Sequence, residues 1–311
     1  MLGGGIRQDM SESLKGHLAA LAAACLFGLM SPVCKVVMNS GVMDGPALAS
    51  LRVSGSALMF WLVSFFVRGQ RVRRRDWPAL IAMSLCGMGL NQFLYVTGVQ
   101  YTSPTNGCVI GTSTPIMALL LSALFLKIRI TRRRGLGIVI ACGGALLLLL
   151  GSAQGEGGRL SGDFLCLGSQ AAAACYFVFF RRLIRRYRVI TLMKWLFTIS
   201  ALAVLPISVP EWQQLQWGEL QSEEWMGCAY VVGVGTFLCY LLLNAGQSRL
   251  APPVVAAYNY VQPLIAATVG ILWGVDILTW QKSFAILLIL AGVWLVTTSR
   301  RSAAQANAPQ H

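Results

Sequence analysis

Residues Pro252 to Gly292 read PPVVAAYNYVQPLIAATVGILWGVDILTWQKSFAILLILAG, and the chain carries much of this pattern twice. Shifted back by 148 positions, Pro263 falls on Pro115, Thr279 on Thr131, Gly292 on Gly144 and Pro252 on Pro104. Upstream at the same offset, Gly246 falls on Gly98, Leu242 on Leu94 and Gly235 on Gly87. Self-similarity at so long a period indicates a duplicated half rather than a short-period solenoid. In a membrane protein, two matching halves are the mark of a transporter built from structural repeats.

The membrane setting follows from composition. Of 311 residues, 56% are hydrophobic and only 12% charged, against about 25% charged in soluble domains. So few charges cannot cover a water-facing surface. The net charge of +14 would suggest nucleic acid if it were spread over a face. It is instead gathered in short loops between apolar runs, which is a topology signal, so no nucleic-acid partner is expected. Nine cysteines (Cys25, Cys34, Cys86, Cys108, Cys142, Cys166, Cys175, Cys228 and Cys239) lie in or at the ends of apolar runs, with no C-x-x-C pair. They read as small apolar packing residues, and neither a metal site, a cofactor nor a disulfide framework is expected. Leu18 to Met30 has the length of a signal-peptide core, and Ala22-Ala23-Ala24-Cys25 resembles a lipoprotein cleavage box. The run continues through Ser31 and Pro32 to Met38, however, and reads as a retained first transmembrane helix.

A spanning helix needs roughly 20 apolar residues. That rule gives ten spans, near 17–38, 46–67, 77–98, 104–126, 135–151, 162–181, 190–209, 225–246, 252–274 and 281–298. With the N-terminus placed in the cytoplasm, the inside loops hold Arg68, Arg71, Arg73, Arg74 and Arg75; Lys127, Arg129, Arg132, Arg133 and Arg134; Arg181, Arg182, Arg185, Arg186 and Arg188; then Arg249, Arg300 and Arg301. The outside loops hold only Arg159 and Lys282, together with Asp44, Glu156, Asp163, Glu211, Glu219, Glu223, Glu224 and Asp276. This Lys and Arg bias puts both termini inside. The expected location is a bacterial inner (cytoplasmic) membrane, as a multi-pass protein.

Five spans per half is an odd number, so the second repeat enters the membrane from the opposite face. The expected fold is all-α and integral to the membrane: ten transmembrane helices in two inverted five-helix repeats. The divisions are 1–16, a cytoplasmic N-terminal segment; 17–151, the first repeat; 152–161, an extracytoplasmic linker; 162–298, the second repeat; and 299–311, a cytoplasmic tail.

At this point the chain resembles the EamA-type transporters of the drug/metabolite transporter superfamily. Leu26-Phe27-Gly28-Leu29-Met30-Ser31-Pro32-Val33-Cys34-Lys35 is similar to their first-helix signature, and Leu51-Arg52 to their second-helix Arg. Ser113-Thr114-Pro115 and Val261-Gln262-Pro263 resemble their mid-helix prolines, and Gly162-Asp163 the start of their second repeat. The resemblance covers about 15–298 and rests on the ordered set of motifs. It implies a ten-helix inverted-repeat transporter with a cavity lined mainly by spans 1, 3, 4, 6, 8 and 9, in a family whose members often export metabolites. One departure concerns the Gly-Glu that often follows the fourth and ninth spans. Here the fourth ends Leu126-Lys127-Ile128-Arg129, and Asp276 of the ninth sits at the offset position of Ile128.

The residues that could carry transport are polar positions inside spans. Pro115 has no N–H, so the carbonyl of Gly111 loses its helical partner, and Pro263 does the same to Asn259. In hydrocarbon such carbonyls must be re-bonded or must line a wet cavity. Pro32, Pro115 and Pro263 are therefore read as kink or gating elements. Span 3 carries a stripe of Ser84, Gly87, Asn91, Tyr95 and Gly98, with Gln92 one residue off it. Ser31, Ser113, Gln170, Tyr176, Tyr240, Asn244, Tyr258, Asn259 and Gln262 complete the cavity set. Singly, each admits an interhelical hydrogen bond or a substrate contact. Together they read as an amide- and phenol-lined cavity. Lys35 and Arg52 are charged residues toward its mouth; Lys35 also admits snorkelling to headgroups, and Arg52 a pairing with Asp44 or a lipid phosphate.

No Asp or Glu lies mid-span, and the histidines are His17 at a span edge and His311 in the tail. A buried-carboxylate proton relay is not expected, and a facilitator is. Clustered acids, histidines or an activated nucleophile, which a membrane enzyme would need, are absent from the pattern. The expected function is a secondary transporter of small organic metabolites, amino-acid-like or other polar or aromatic compounds, acting as an exporter by alternating access through a central cavity. Its partners are a small-molecule substrate and membrane lipid, and the chain is expected as a monomer or a dimer. The alternative is a non-transporting lipid-handling or partner-binding membrane component.

Overall fold

The computed structural model describes the chain apart from Met1, Arg68, Leu126, Ile128, Arg129 and residues 154–158, 251–253, 256–257 and 307–311; side chains of residues 2–12, 152–153, 185, 297 and 299–306 are also not described. Expectations for Pro252, Arg68, Ile128, Arg129, Glu156, His311 and half of the 152–161 linker fall outside these residues.

Among the described residues there is no strand. The main helices are α1 (Leu2–Asn39), α2 (Gly45–Phe66), α3 (Arg74–Tyr101), α4 (Pro104–Phe125), α5 (Arg132–Ala153), α6 (Leu160–Phe179), α7 (Val189–Ile207), α8 (Ser222–Arg249), α9 (Val261–Leu272) and α10 (Trp280–Ala306). Their starts follow local chemistry. Pro104 occupies the first turn of α4, where its missing N–H is not needed, and Ser103 Oγ accepts from Asn106 N at 3.2 Å as an N-cap. α8 begins with a capping box between Gln221 and Glu224. Just beyond the end of α9 lies Gly274, whose φ of 68° suits a residue without Cβ. There Val275 N and Asp276 N both donate to Gly270 O, at 2.9 and 3.1 Å.

Among the described residues, eight helices are long and apolar enough to cross a membrane: those within α1 to α8. The ten-span expectation is met in part: among the described residues two further apolar helices, α9 and Trp280–Val296 of α10, are shorter. The twelve residues of α9 rise about 18 Å, against a hydrocarbon core of about 30 Å. Asn259 and Tyr260 form a turn just ahead of Pro263. α4 is broken in the same way at Thr112 and Ser113, between the helical pieces Pro104–Gly111 and Thr114–Phe125.

Two further irregularities share the repeat offset. Residues Leu85–Leu90 of α3 and Tyr230–Leu238 of α8 are wound as π-helix, and the first interval shifted by 148 lies inside the second. Such segments are uncommon and concentrate at functional sites.

The packing is reciprocal between halves. α1 packs on α8 and α9, while α6 packs on α3 and α4; α2 packs on α8, while α7 packs on α3; α2 meets α7, α4 meets α9, and α5 meets α10. Glycines allow the closest of these approaches. A Cβ on Gly144 would lie 2.8 Å from Ala285 O, and one on Gly292 would lie 2.5 Å from Gly137 O; these are the same contact with the halves exchanged. Large apolar side chains such as Leu58, Leu62, Phe66, Leu124, Val139, Leu202 and Leu287 point outward from the bundle, as a lipid-facing surface requires.

Candidate functional site

The polar residues singled out in the sequence form small groups rather than one ring. The first joins α3 to α8. Gln92 Nε2 donates to Tyr240 Oη at 3.1 Å, and Met88 Sδ lies 3.9 Å from that amide and 3.5 Å from the phenol. The Tyr240 ring meets Phe27 of α1 and Phe197 of α7 edge-on. One turn earlier on α8, Thr236 Oγ1 accepts from Arg52 Nε at 2.8 Å. Asn244 Nδ2 turns back to Tyr240 O at 2.6 Å.

The second group joins α3, α4 and α6. Asn91 Nδ2 donates to Ser169 O at 2.8 Å, and Gln170 Nε2 donates to Ser169 Oγ at 2.8 Å. Thr114 Oγ1 lies 2.6 Å from Gln170 Oε1 and 3.0 Å from Gly111 O. The single hydroxyl proton is shared between the carbonyl that Pro115 strips and the Gln170 amide oxygen of α6. Ser113 Oγ is buried beside it and has no hydrogen-bond partner among the described residues. Tyr176 on α6 packs its ring into the space that Gly87 leaves in the π segment of α3.

The remaining residues lie elsewhere. Ser31 Oγ donates to Pro104 O at 3.0 Å, and Tyr95 Oη sits 3.6 Å from Cys108 Sγ, so both hold the start of α4. Pro32 is buried within a continuous α1. Tyr258 Oη lies 2.8 Å from His17 Nδ1. At the α9 break, Asn259 is exposed and its Oδ1 accepts from Gln262 Nε2 at 3.2 Å; its carbonyl accepts from Gln262 N at 3.3 Å. Pro263 is buried just beyond it.

The two cations are engaged inside the protein. Lys35 Nζ donates to Val99 O, Gln100 O and Thr102 O at 3.2, 2.7 and 3.0 Å. It caps the carbonyl end of α3, where a cation is favoured, rather than reaching for headgroups. Arg52 does not meet Asp44, whose Oδ1 accepts instead from Gln100 Nε2 at 2.7 Å.

Sequence reasoning missed a third group, at the Arg-poor end of the bundle. Lys282 Nζ and Asp276 Oδ1 form an ion pair at 2.5 Å with side chains 5% and 1% exposed. Asp276 Oδ2 accepts from Thr105 N at 2.9 Å, and Lys282 Nζ donates to Ser103 Oγ at 2.7 Å. The pair thus fastens the α9–α10 turn to the first turn of α4. Close by in sequence, Thr102 Oγ1 donates to Asp163 Oδ1 at the start of α6. The sequence pattern placed Lys282 and Asp276 in a loop, and only their spacing of six residues hinted at a pairing. At the opposite, Arg-rich end, Arg186 Nη1 pairs with Asp76 at 2.9 Å and Tyr187 Oη donates to the same carboxylate at 2.5 Å.

Among the described residues no group of three or more His, Cys, Asp or Glu could hold a metal. What the arrangement offers chemically is neutral amides, phenols and hydroxyls beside two helix breaks, with one buried guanidinium.

Comparison with known proteins bears on what such an arrangement does. The family model described as the EamA-like transporter family matches residues 14–150 and again 160–298. A protein of Archaeoglobus fulgidus named as an uncharacterized transporter is 25% identical over 82% of this chain and 89% of its own. YicL of Salmonella typhimurium, named as an uncharacterized inner membrane transporter, is 24% identical over 96% of this chain and all of its own. A crystal structure with 17% identity superposes with a TM-score of 0.62 over 94% of this chain and 97% of that one, a likeness of fold.

Proposed function

We propose, from the premise that this chain belongs to the EamA-like transporter family, that it is a secondary transporter of small polar or aromatic organic metabolites, working by alternating access and running as an exporter. As a multi-pass membrane protein it would sit in a bacterial inner membrane with both termini in the cytoplasm. The two halves would form ten crossings in inverted repeats, with α9 and α10 completing the count.

The observation that carries the proposal is the repeat-matched pair of helix breaks, at Thr112–Ser113 in α4 and at Asn259–Tyr260 in α9. Broken helices at equivalent places in two halves are where transporters bind solute and hinge. The reciprocal packing supports a rocking of one set of helices against the other: α1, α8 and α9 exchange roles with α6, α3 and α4.

Coupling to protons is not proposed. Asp163 and Asp276 sit at helix ends and are engaged by Thr102 and by Lys282 with Thr105. The solute would move down its own gradient. Metabolite profiling of cells with and without the gene, followed by flux of the enriched compounds into proteoliposomes, tests the reading. Saturable flux that an imposed pH gradient leaves unchanged is expected. Absence of flux for every enriched compound overturns transport, and a proton requirement lost on mutating Asp163 or Asp276 overturns facilitation.

A further inference from the structure

Arg52 stands seven residues into α2, about 10 Å along its axis, and is 3% exposed. Its guanidinium is a planar cation with five N–H donors in a fixed fork. Nε donates to Thr236, the fifteenth of the 28 residues of α8, so the group is held near mid-depth of that helix. The Thr236 hydroxyl spends its proton on Val231 O at 2.7 Å. Its lone pair is thereby turned to Arg52, and the plane of the guanidinium is fixed.

Among the described residues the rest of the fork has no partner. Neither terminal nitrogen makes a hydrogen bond, and Nη1 is fully buried. Among the described residues no carboxylate pairs with Arg52. Asp44, Asp76 and Asp276 are taken by Gln100, Arg186 and Lys282. A buried cation without counter-charge is costly, and a charge inside a membrane bundle without a structural partner marks a solute path. An oriented guanidinium with two open nitrogens matches a carboxylate in geometry and charge. One turn along α8 lies Tyr240, with Gln92 on its hydroxyl and Phe27 and Phe197 against its ring.

We infer that Arg52 anchors the anionic group of the solute, and that the solutes are small organic carboxylates whose body lies against Tyr240 and its aromatic neighbours. This deepens the transport reading and rests on it for the word solute. A lipid phosphate is the other source of an anion, but its headgroup level lies away from the mid-depth position of Thr236.

The full-length protein in detergent provides the test, read as the thermal unfolding midpoint. The probes are benzoate, phenylacetate and N-acetylphenylalanine, each against its neutral amide. The carboxylates are expected to stabilise the protein at concentrations about tenfold or more below those at which the amides act. Arg52→Gln should abolish that preference, and Arg52→Lys should keep a weakened one. Where Arg52→Gln does not fold, Thr236→Val serves: it leaves the charge but frees the plane of the fork, and should weaken carboxylates without affecting amides. Equal action of acids and amides, no stabilisation by any carboxylate, a preference surviving Arg52→Gln, or stabilisation by phosphatidylglycerol alone would each overturn the inference. Because binding is read without flux, a chain that prefers carboxylates yet moves nothing fails only as a transporter. A chain that moves a neutral solute without preferring carboxylates fails only here.

Discussion

Gly111 and Asn259 occupy the same place in the two halves, and both carbonyls, deprived by a proline four residues on, are re-bonded from the third residue on. Gly111 O lies 3.0 Å from Thr114 Oγ1, and Asn259 O accepts from Gln262 N at 3.3 Å. The duplication has kept the break and changed its repair. In α4 the repair is a side chain that also touches Gln170 of α6. In α9 it is the backbone, which leaves the Gln262 amide to reach Asn259 Oδ1.

That difference predicts unequal responses to mutation. Thr114→Val removes the single hydroxyl proton that Gly111 O and Gln170 Oε1 share, at a cost of about 1–3 kcal/mol. Thr114→Ser should be close to neutral. Gln262→Leu leaves the backbone bond intact and should cost less than Thr114→Val. Unfolding midpoints of the three purified variants check the order, and a Gln262→Leu loss as large as that of Thr114→Val would contradict it.

The α5–α10 seam gives a sharper contrast between adjacent residues. A Cβ on Gly144 would meet Ala285 O at 2.8 Å and Ile289 N at 2.9 Å, both backbone atoms that cannot step aside. A Cβ on Gly143 would meet nothing within 4 Å. Gly143→Ala should therefore gain up to about 1 kcal/mol from helix propensity, whereas Gly144→Ala should lower stability by about 1–3 kcal/mol through overpacking. Unfolding midpoints in one detergent measure both, and equal effects would show that the seam does not hold α5 to α10 as described.

The same logic applies to the π segments. Gly87 faces the ring of Tyr176, while its counterpart Gly235 faces the terminal methyl of Met30, the far end of a flexible chain, with a Tyr230 ring atom at 3.1 Å. Gly87→Ala should destabilise more than Gly235→Ala, because an aromatic ring wedged between helices has fewer places to go than a thioether. Adding Tyr176→Leu should recover most of the Gly87→Ala loss. Midpoints for the three variants test this, and no recovery would place the strain in the backbone instead.

How much of this was legible depended on range. The apolar runs, the duplication and the two proline breaks were readable because each is written in consecutive residues or at one offset. The π segments were not, although Gly87 and Gly235 marked the offset, since no residue type requires an i+5 hydrogen bond. The partner of Arg52 lay 184 residues away, and Asp44, the acid nearest in sequence, was the natural but incorrect guess. The polar stripe read as one cavity resolves into separate groups, because helix spacing fixes which residues share a face and not which faces meet. Lys282 was counted as a loop charge, since a charge count registers sign and position along the chain and carries no information about depth.

Asp276 and Lys282 are also the most exacting place to test the fold. The acid accepts from two backbone N–H groups, Thr105 and Ile277, besides the ammonium, and Thr105 belongs to the first turn of α4, where negative charge is favoured. Lys282 has Ser103 Oγ and Ile277 O besides the acid, neither of which carries a compensating charge. Breaking a buried pair from one side costs about 3–5 kcal/mol. Asp276→Asn, which strands the cation, should reach that range, and Lys282→Met, which leaves the anion on the α4 N-terminus, should fall below it. Combining Asp276→Asn with Lys282→Met removes both charges and should cost less than Asp276→Asn alone. A double-mutant cycle on unfolding midpoints decides: additive losses would mean that the two side chains do not pair in the membrane, and the fastening of α4 to the α9–α10 region would have to be sought in the packing of α4 on α9 instead.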